Sequence, residues 1–264
     1  MKEVDPDWWK SLFDKTYLIT DARSVCDQGV TCREVDFLQE ALSLEKSWAI
    51  LDLCGGQGRH SLELSRRGFK HVTVLDYSRV LIELGRQQAQ EEGLNTLFVR
   101  KDARDTGLPC ERFRVIIIMA SSFGYFVDEA ENEKILSESY RMLMPGGVLF
   151  LDLPHKRHVV RNFVPQSRHN ASEGIVVHRQ RRLDEDIIYS REMVISKTEG
   201  VLRDATYCTR LYTPEKITTM LTSAGFDSVT IQKDFVSHEK KMDYGLMTNR
   251  MIVIAKRHRD PSLA

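Results

Sequence analysis

The run Ile50-Leu-Asp-Leu-Cys-Gly-Gly-Gln-Gly-Arg-His60 decides how the rest of this 264-residue chain is read. It opens as an apolar stretch interrupted by one acid, Asp52, and breaks into the glycines Gly55, Gly56 and Gly58. Glycine there lets the backbone approach a ligand closely and leaves amide groups exposed at the start of the following helix. Working outward, Trp48 to Leu53 is expected to be a strand and the segment around Leu62 and Leu64 a short helix ended by Gly68.

The same alternation continues downstream. Strands are expected at Val72–Asp76, Thr96–Val99, Val115–Met119 and Val148–Asp152, with helices after Ser78 and from about Asp128 to Met142. Short β-rich runs alternating with helical ones predict an α/β fold with a mainly parallel sheet. The unbroken apolar character of Val115-Ile-Ile-Ile-Met119 fits a strand covered on both faces. Beyond Pro154 the pattern changes to strand-like runs at Ile175–Val177, Ile187–Tyr189 and Met193–Ile195, read as an antiparallel insertion. A helix from Pro214 and strands at Val229–Ile231 and Met251–Ala255 would complete a seven-stranded sheet. The expectation is a single domain: a helical cap over 1–47, a core over 48–153, the insertion over 154–211 and the rest of the sheet over 212–257.

Composition narrows the classes. Thirty-eight basic and 38 acidic side chains cancel, so no global field favours nucleic acid or an anionic membrane. No apolar run approaches the roughly 20 residues of a membrane span, and the acidic, aromatic start Met1-Lys-Glu-Val-Asp-Pro-Asp-Trp-Trp9 is unlike a secretory signal, so a cytoplasmic location is expected. The five cysteines form no Cys-x-x-Cys pair, which argues against a zinc site or a disulfide framework.

Four further segments follow the glycine turn in order. Asp76 ends the second strand with Tyr77 beside it; Asp102 and Ala103 follow the third; Met119-Ala-Ser-Ser122 follows the fourth; and Leu143-Met-Pro-Gly-Gly-Val-Leu-Phe-Leu151 leads into the fifth. With the glycine turn, which resembles motif I, these five signals resemble the Rossmann-like class I S-adenosylmethionine-dependent methyltransferases over roughly Trp8 to Lys256. The similarity is strongest to bacterial small-molecule enzymes of that family, through Tyr17-Leu18, Ser122 to Phe126 and Arg210 to Pro214. Cys54 stands where the family has its first motif I glycine; its small side chain still fits.

The resemblance implies S-adenosylmethionine as cofactor and S-adenosylhomocysteine as product. The backbone from Cys54 through Gly55, Gly56 and Gly58 would cradle it, with Asp52 below. Asp76 would accept from the ribose hydroxyls, Asp102 from the adenine amino group, and the Ala103 amide would donate to the ring. Met119 would line the methionine end, whose carboxylate Tyr17 and Arg33 would hold by similarity. Ser122, Phe123, Tyr125, Arg210 and Tyr212 are the expected substrate contacts, and His155 is the candidate base should the acceptor begin protonated. A small-molecule acceptor is expected, while its identity and the oligomeric state stay open.

Each assignment has a plainer counterpart. Asp52 reads equally as an acid that only fixes the turn, Cys54 reads as a packing residue, and the aromatics at 123–126 read equally as core or lid. The His155–His158 pair lacks a third metal ligand. The basic stretch 155–182, including Arg179, Arg181 and Arg182, reads first as a solvated strand face and second as a site for an acidic substrate. Two other classes compete. A nicotinamide oxidoreductase shares the glycine turn and Asp76, but its G-x-G-x-x-G/A ending is only approximated by Gly56, Gly58 and Ser61. It also leaves Asp102 and Pro145-Gly-Gly147 unexplained. A non-catalytic adenosylmethionine-binding protein would keep the pocket without the chemistry.

Overall fold

The computed structural model describes residues 4–236, 245–247 and 249–258. Four helices open the chain: α1 (Trp9–Leu12), α2 (Lys15–Thr20), α3 (Ala22–Val25) and α4 (Gln28–Leu42). Asp14 caps α2 through the Thr16 and Tyr17 amides, and Asp27 caps α4 through the Val30 amide, satisfying donors that a helix start leaves free. The alternating half follows as β1 (Ala49–Leu53), α5 (Arg59–Arg66), β2 (His71–Asp76), α6 (Arg79–Glu91), β3 (Leu97–Arg100), β4 (Phe113–Ile118), α7 (Glu129–Met142) and β5 (Leu143–Pro154). After α8 (Lys156–Arg161) come β6 (Gln166–Ser172), β7 (Ile175–Asp184), β8 (Ile187–Ser196) and β9 (Gly200–Arg210). Then α9 (Pro214–Ser223), β10 (Ser228–Phe235), a 3-10 turn at Gly245–Met247 and β11 (Arg250–Lys256) complete the described chain.

Seven strands form one sheet in the order β3-β2-β1-β4-β5-β11-β10, with β11 antiparallel to both its neighbours. Leu51, Leu53, Ile116 and Ile118 enter one hydrophobic cluster while Ile50, Val115 and Ile117 enter another. Alternate residues thus feed opposite faces, and both faces are covered. The strand order reverses between β1 and β4, which opens a crevice at their carboxyl ends.

The antiparallel insertion is a separate four-stranded sheet, ordered β6-β7-β8-β9. Its extent exceeds the sequence reading. The runs at 187–189 and 193–195 are one strand, and both β6 and β9 lacked a clear signal. Gln166-Ser-Arg-His-Asn-Ala-Ser172 is polar except for Ala171, so hydropathy does not mark it; backbone pairing with β7 holds it in place. Pro145-Gly-Gly147 lies inside β5 rather than in a turn before it.

One close approach shapes the crevice. A Cβ added to Gly85 of α6 would lie 2.3 Å from the Phe98 ring and 2.5 Å from the Gln57 carbonyl oxygen. A glycine in mid-helix costs about 1 kcal/mol relative to alanine. Here it lets α6 press directly on the glycine loop.

Candidate cofactor cleft and acceptor chamber

The loop after β1 is built around two acids, Asp52 fully buried and Asp76 half-buried. Cys54 is left-handed at φ +62°, a conformation that costs a side chain about 1–2 kcal/mol, and Gly56 and Gly58 follow at +58° and +74°. Gly55 sits against Asp52: a Cβ there would come within 2.6 Å of the carboxyl carbon. Asp52 Oδ2 accepts from Ser61 Oγ at 2.9 Å, whereas the buried Oδ1 has no hydrogen-bond partner among the described residues. Burial pushes the Asp52 carboxyl up to about 7. Asp76, at the end of β2, accepts from the Gly56 amide (2.8 Å) through Oδ2 and from the Ser78 amide (2.8 Å) through Oδ1. Burial raises its pKa and those amides oppose the rise.

The loop after β4 is held from beneath. Ala120 (φ +56°) and Ser121 (φ +59°) are consecutive left-handed residues without glycine. Asp152 of β5 accepts from both: Oδ2 from the Ala120 amide (2.9 Å) and its carbonyl oxygen from the Ser121 amide (3.1 Å). Asp152 Oδ2 also pairs with Arg250 Nη1 at 2.8 Å, and Arg250 Nη2 donates to Glu34 Oε1 at 2.6 Å. Glu34 Oε2 then meets Arg59 Nη1 (2.5 Å) and His60 Nε2 (2.9 Å) at the start of α5. Burial drives His60 down to about 4, so at neutral pH the ring is uncharged and Nε2 is the donor to Glu34. Burial alone would raise Glu34, but Arg59 and Arg250 hold it well below the usual carboxylate range. One buried chain of charges therefore ties both cleft-lining loops together.

Three adjoining cavities, with lining residues in common, open above these loops. The first, against the glycine loop, is lined among others by Tyr17, Asp52, Arg59 and Met119. The second is lined by Asp76, Tyr77, Asp102, Ala103 and Phe126. The third lies between the N-terminal helices and the antiparallel sheet. Phe13 and Tyr125, stacked at 5.5 Å with their planes 22° apart, line all three, and Ser122 lines the first two. Asp102 is clasped by Arg104, whose amide (2.9 Å) and Nε (3.0 Å) donate to Oδ1 and whose Nη2 (2.6 Å) donates to Oδ2. Burial would raise the Asp102 pKa, but Arg104 brings it below its ordinary value. The same guanidinium lies over the Trp9 and Phe126 rings, which close the second cavity.

The crevice thus brings together most of the expected cofactor residues, but five expected side chains lie elsewhere. Arg33 is exposed on α4, because the helix turns Glu34 and Val35 inward; Arg59 stands at the cleft instead. His155 caps α8, with Nδ1 accepting from the His158 amide at 3.1 Å, and faces a different cavity beside Tyr212 and Thr213. Its role as base finds no support in that position. Phe123 and Tyr212 are buried against each other in the core, with ring centroids 5.4 Å apart. Arg210 donates to the Val127 carbonyl at 2.6 Å and so braces the loop after β4. Sequence reasoning missed Phe13, Arg59 and Arg104. Arg59 stood in the quoted run without a role, and the N-terminal segment was read only as a helical cap.

Comparison with known proteins agrees with this geometry. Residues 50–147 match the family model described as a methyltransferase domain. The demethylmenaquinone methyltransferase of Thermus thermophilus is 35% identical over 116 residues, which are 43% of this chain and 51% of that protein. The glycine/sarcosine N-methyltransferase of Halorhodospira halochloris is 32% identical over 120 residues, 45% of this chain and 44% of that one. Among solved structures, an S-adenosylmethionine-dependent methyltransferase from Clostridium acetobutylicum superposes with a TM-score of 0.72 at 17% identity, covering 92% of this chain and 96% of that one. DesVI of Streptomyces venezuelae gives 0.63 at 18% identity, over 97% and 100%. The chain spans about half the length of the curated relatives it matches. Its segment 50–147 is thus similar to methyltransferase domains, and its fold is that of the S-adenosylmethionine-dependent methyltransferases. Among the described residues no helix is long and apolar enough to cross a membrane, and no group of three or more His, Cys, Asp or Glu side chains could hold a metal ion.

Proposed function

We propose that the protein transfers the methyl group of S-adenosylmethionine to a small-molecule acceptor held in the third cavity. The observation that carries this reading is the shared Phe13–Tyr125 pair, where the two lobes of the cofactor cleft and the third cavity meet. The cleft suits the cofactor. Glycine-loop amides, Tyr17, Met119 and Ala103 line it, Asp76 and Asp102 face the lobe for the adenosine, and the orphaned Asp52 oxygen lies under the lobe for the methionine end. When bound, S-adenosylmethionine supplies a methyl group already activated by a sulfonium. The chain's own contribution is to orient the acceptor, exclude water and surround the reacting centre with aromatic rings.

The third cavity measures about 140 Å³, close to the ~150 Å³ that accommodates a benzene ring in a protein interior. That suits an acceptor of about one ring. Calorimetry with S-adenosylhomocysteine and with NADH tests the assignment: the first is expected to bind and the second not. The reverse result would overturn it, as would failure to label any compound in a metabolite extract with methyl-tritiated cofactor.

Asp52 makes the binding pH-dependent. With the folded carboxyl at about 7, ligand-free protein at neutral pH carries much of it protonated. A cationic ligand above it favours the carboxylate, so binding should release a proton. S-adenosylmethionine affinity is expected to rise from pH 6 to pH 8 and then level off. Calorimetry in buffers of different ionisation enthalpy reads the proton directly. An affinity that is flat over this range in wild type, or equally steep in Asp52→Asn, would remove Asp52 as the cause.

A further inference from the structure

The chamber's outer wall is one face of the antiparallel sheet, and strand register determines what that face presents. Arg179 lies opposite Glu192 and Arg181 opposite Ser190 across β7 and β8, while Ser190 lies opposite Tyr207 across β8 and β9. Alternate residues of a strand share a face, so these five side chains fall on one surface, and all five line the cavity. A solvated strand face does not describe it. The Arg179 side chain is only 12% exposed, whereas that of Arg182, three residues on and on the other face, is 60% exposed.

Arg179 is mounted rather than merely neutralised. Its Nε donates to Glu192 Oε2 at 2.7 Å and its Nη2 to Asp21 Oδ2 at 2.8 Å. Glu192, with a side chain 3% exposed, also accepts from Arg203 Nη1 at 3.2 Å, and Asp14 reaches Arg203 from outside the cavity. Two carboxylates thus fix one edge of the Arg179 guanidinium. Its Nη1 makes no hydrogen bond among the described residues. Arg181 is held by Nη1, which donates to Ser167 Oγ at 3.1 Å, and its Nη2 has no such partner either. A guanidinium carries five donors in a planar fork matched to carboxylate and phosphate. Using two of five for mounting leaves the rest for a ligand.

We infer that the acceptor carries an anionic group, a carboxylate or a phosphate, which Arg179 and Arg181 bind while the atom to be methylated points toward Phe13 and Tyr125. This rests on the methyl-transfer reading above and narrows its acceptor class. The asymmetry of the chamber supports it: one wall is aromatic, with Trp8, Phe13 and Tyr17, and the opposite wall bears the arginines. An acceptor with an anionic tail and a less polar reacting end would be oriented by both.

The test uses three ring-sized probes on the full chain loaded with S-adenosylhomocysteine: benzoate, phenyl phosphate and the neutral benzamide. At least one anion is expected to bind ten or more times tighter than benzamide, and which one does identifies the anionic group. Arg179→Gln should erase that margin, and Arg181→Gln should shrink it at least threefold, with S-adenosylhomocysteine affinity measured alongside to show an intact cleft. Arg181→Gln and the wild-type comparison remain informative should Arg179→Gln fail to fold. Equal binding of all three probes, no anion binding, or a margin that survives both substitutions overturns the inference and leaves the methyltransferase reading standing. Failure of wild type to bind S-adenosylhomocysteine in the first titration overturns both.

Discussion

Replacing Arg250 with methionine is expected to lower folding stability by about 3–5 kcal/mol, the range for removing one partner of a buried ion pair. For a chain of this size each kcal/mol corresponds to about 2–4 °C, so the melting temperature should fall on the order of 10 °C. Arg250 is completely buried and its guanidinium stands between Asp152 and Glu34. Glu34 keeps Arg59 after the substitution, but Asp152 loses its only ion-pair partner among the described residues. Burial already pushes the Asp152 carboxyl up to about 6, with Arg250 as the main force opposing that rise. Without Arg250 the folded pKa climbs further above the unfolded value. A group raised in this way contributes stability at low pH that is lost as pH rises through the folded pKa. The deficit should therefore be larger at pH 8 than at pH 5, as urea unfolding of both proteins at the two pH values would show. A loss below 1 kcal/mol, or one independent of pH, would mean that the charge chain does not hold this region. The same substitution should loosen the cleft, because Asp152 is what keeps Ala120 and Ser121 left-handed.

The second large effect belongs to Asp76. Asp76→Ala is expected to weaken S-adenosylhomocysteine binding by about 100-fold. Hydrogen bonds to a charged group contribute about 1.5–3 kcal/mol each, so losing the two ribose hydroxyl contacts proposed for Asp76 would cost about 3 kcal/mol at the low end, or about two decades of affinity. The alanine also removes the acceptor for the Gly56 and Ser78 amides, so the glycine loop loses its tether to β2. Asp76→Asn retains one acceptor oxygen and should fall between wild type and alanine. Calorimetric titration of the three proteins decides the matter: a change under threefold for alanine would show that the carboxylate serves the loop alone.

The two substitutions probe different layers of one design. Asp76 acts at the cleft surface, through groups a ligand can reach. Arg250 acts beneath it, by holding two loops from strands far apart in sequence. The fold carries left-handed strain at Cys54, Ala120 and Ser121 and has buried charge pairing beneath it.

Much of the cleft was legible from the chain alone because its determinants are local. A strand, a glycine turn and a helix start within eleven residues define where an adenosyl group can rest, and Asp76 and Asp102 follow at strand ends that hydropathy marks. The mainly parallel seven-stranded sheet and the antiparallel insertion were legible for the same reason, although the strand order and polar β6 were not. Tertiary structure alone decided the rest. The chain of charges joins positions 34, 59, 152 and 250, and no local period relates them. His155 turned away because its ring nitrogen caps a helix, and Arg33 because α4 buries the neighbouring face. Arg179 and Arg181 resembled ordinary surface charges until strand register placed them on the inner face of a sheet. Local sequence sets which backbone shapes form; which faces then meet, and which charges are thereby buried, depends on contacts between segments that sequence spacing does not encode.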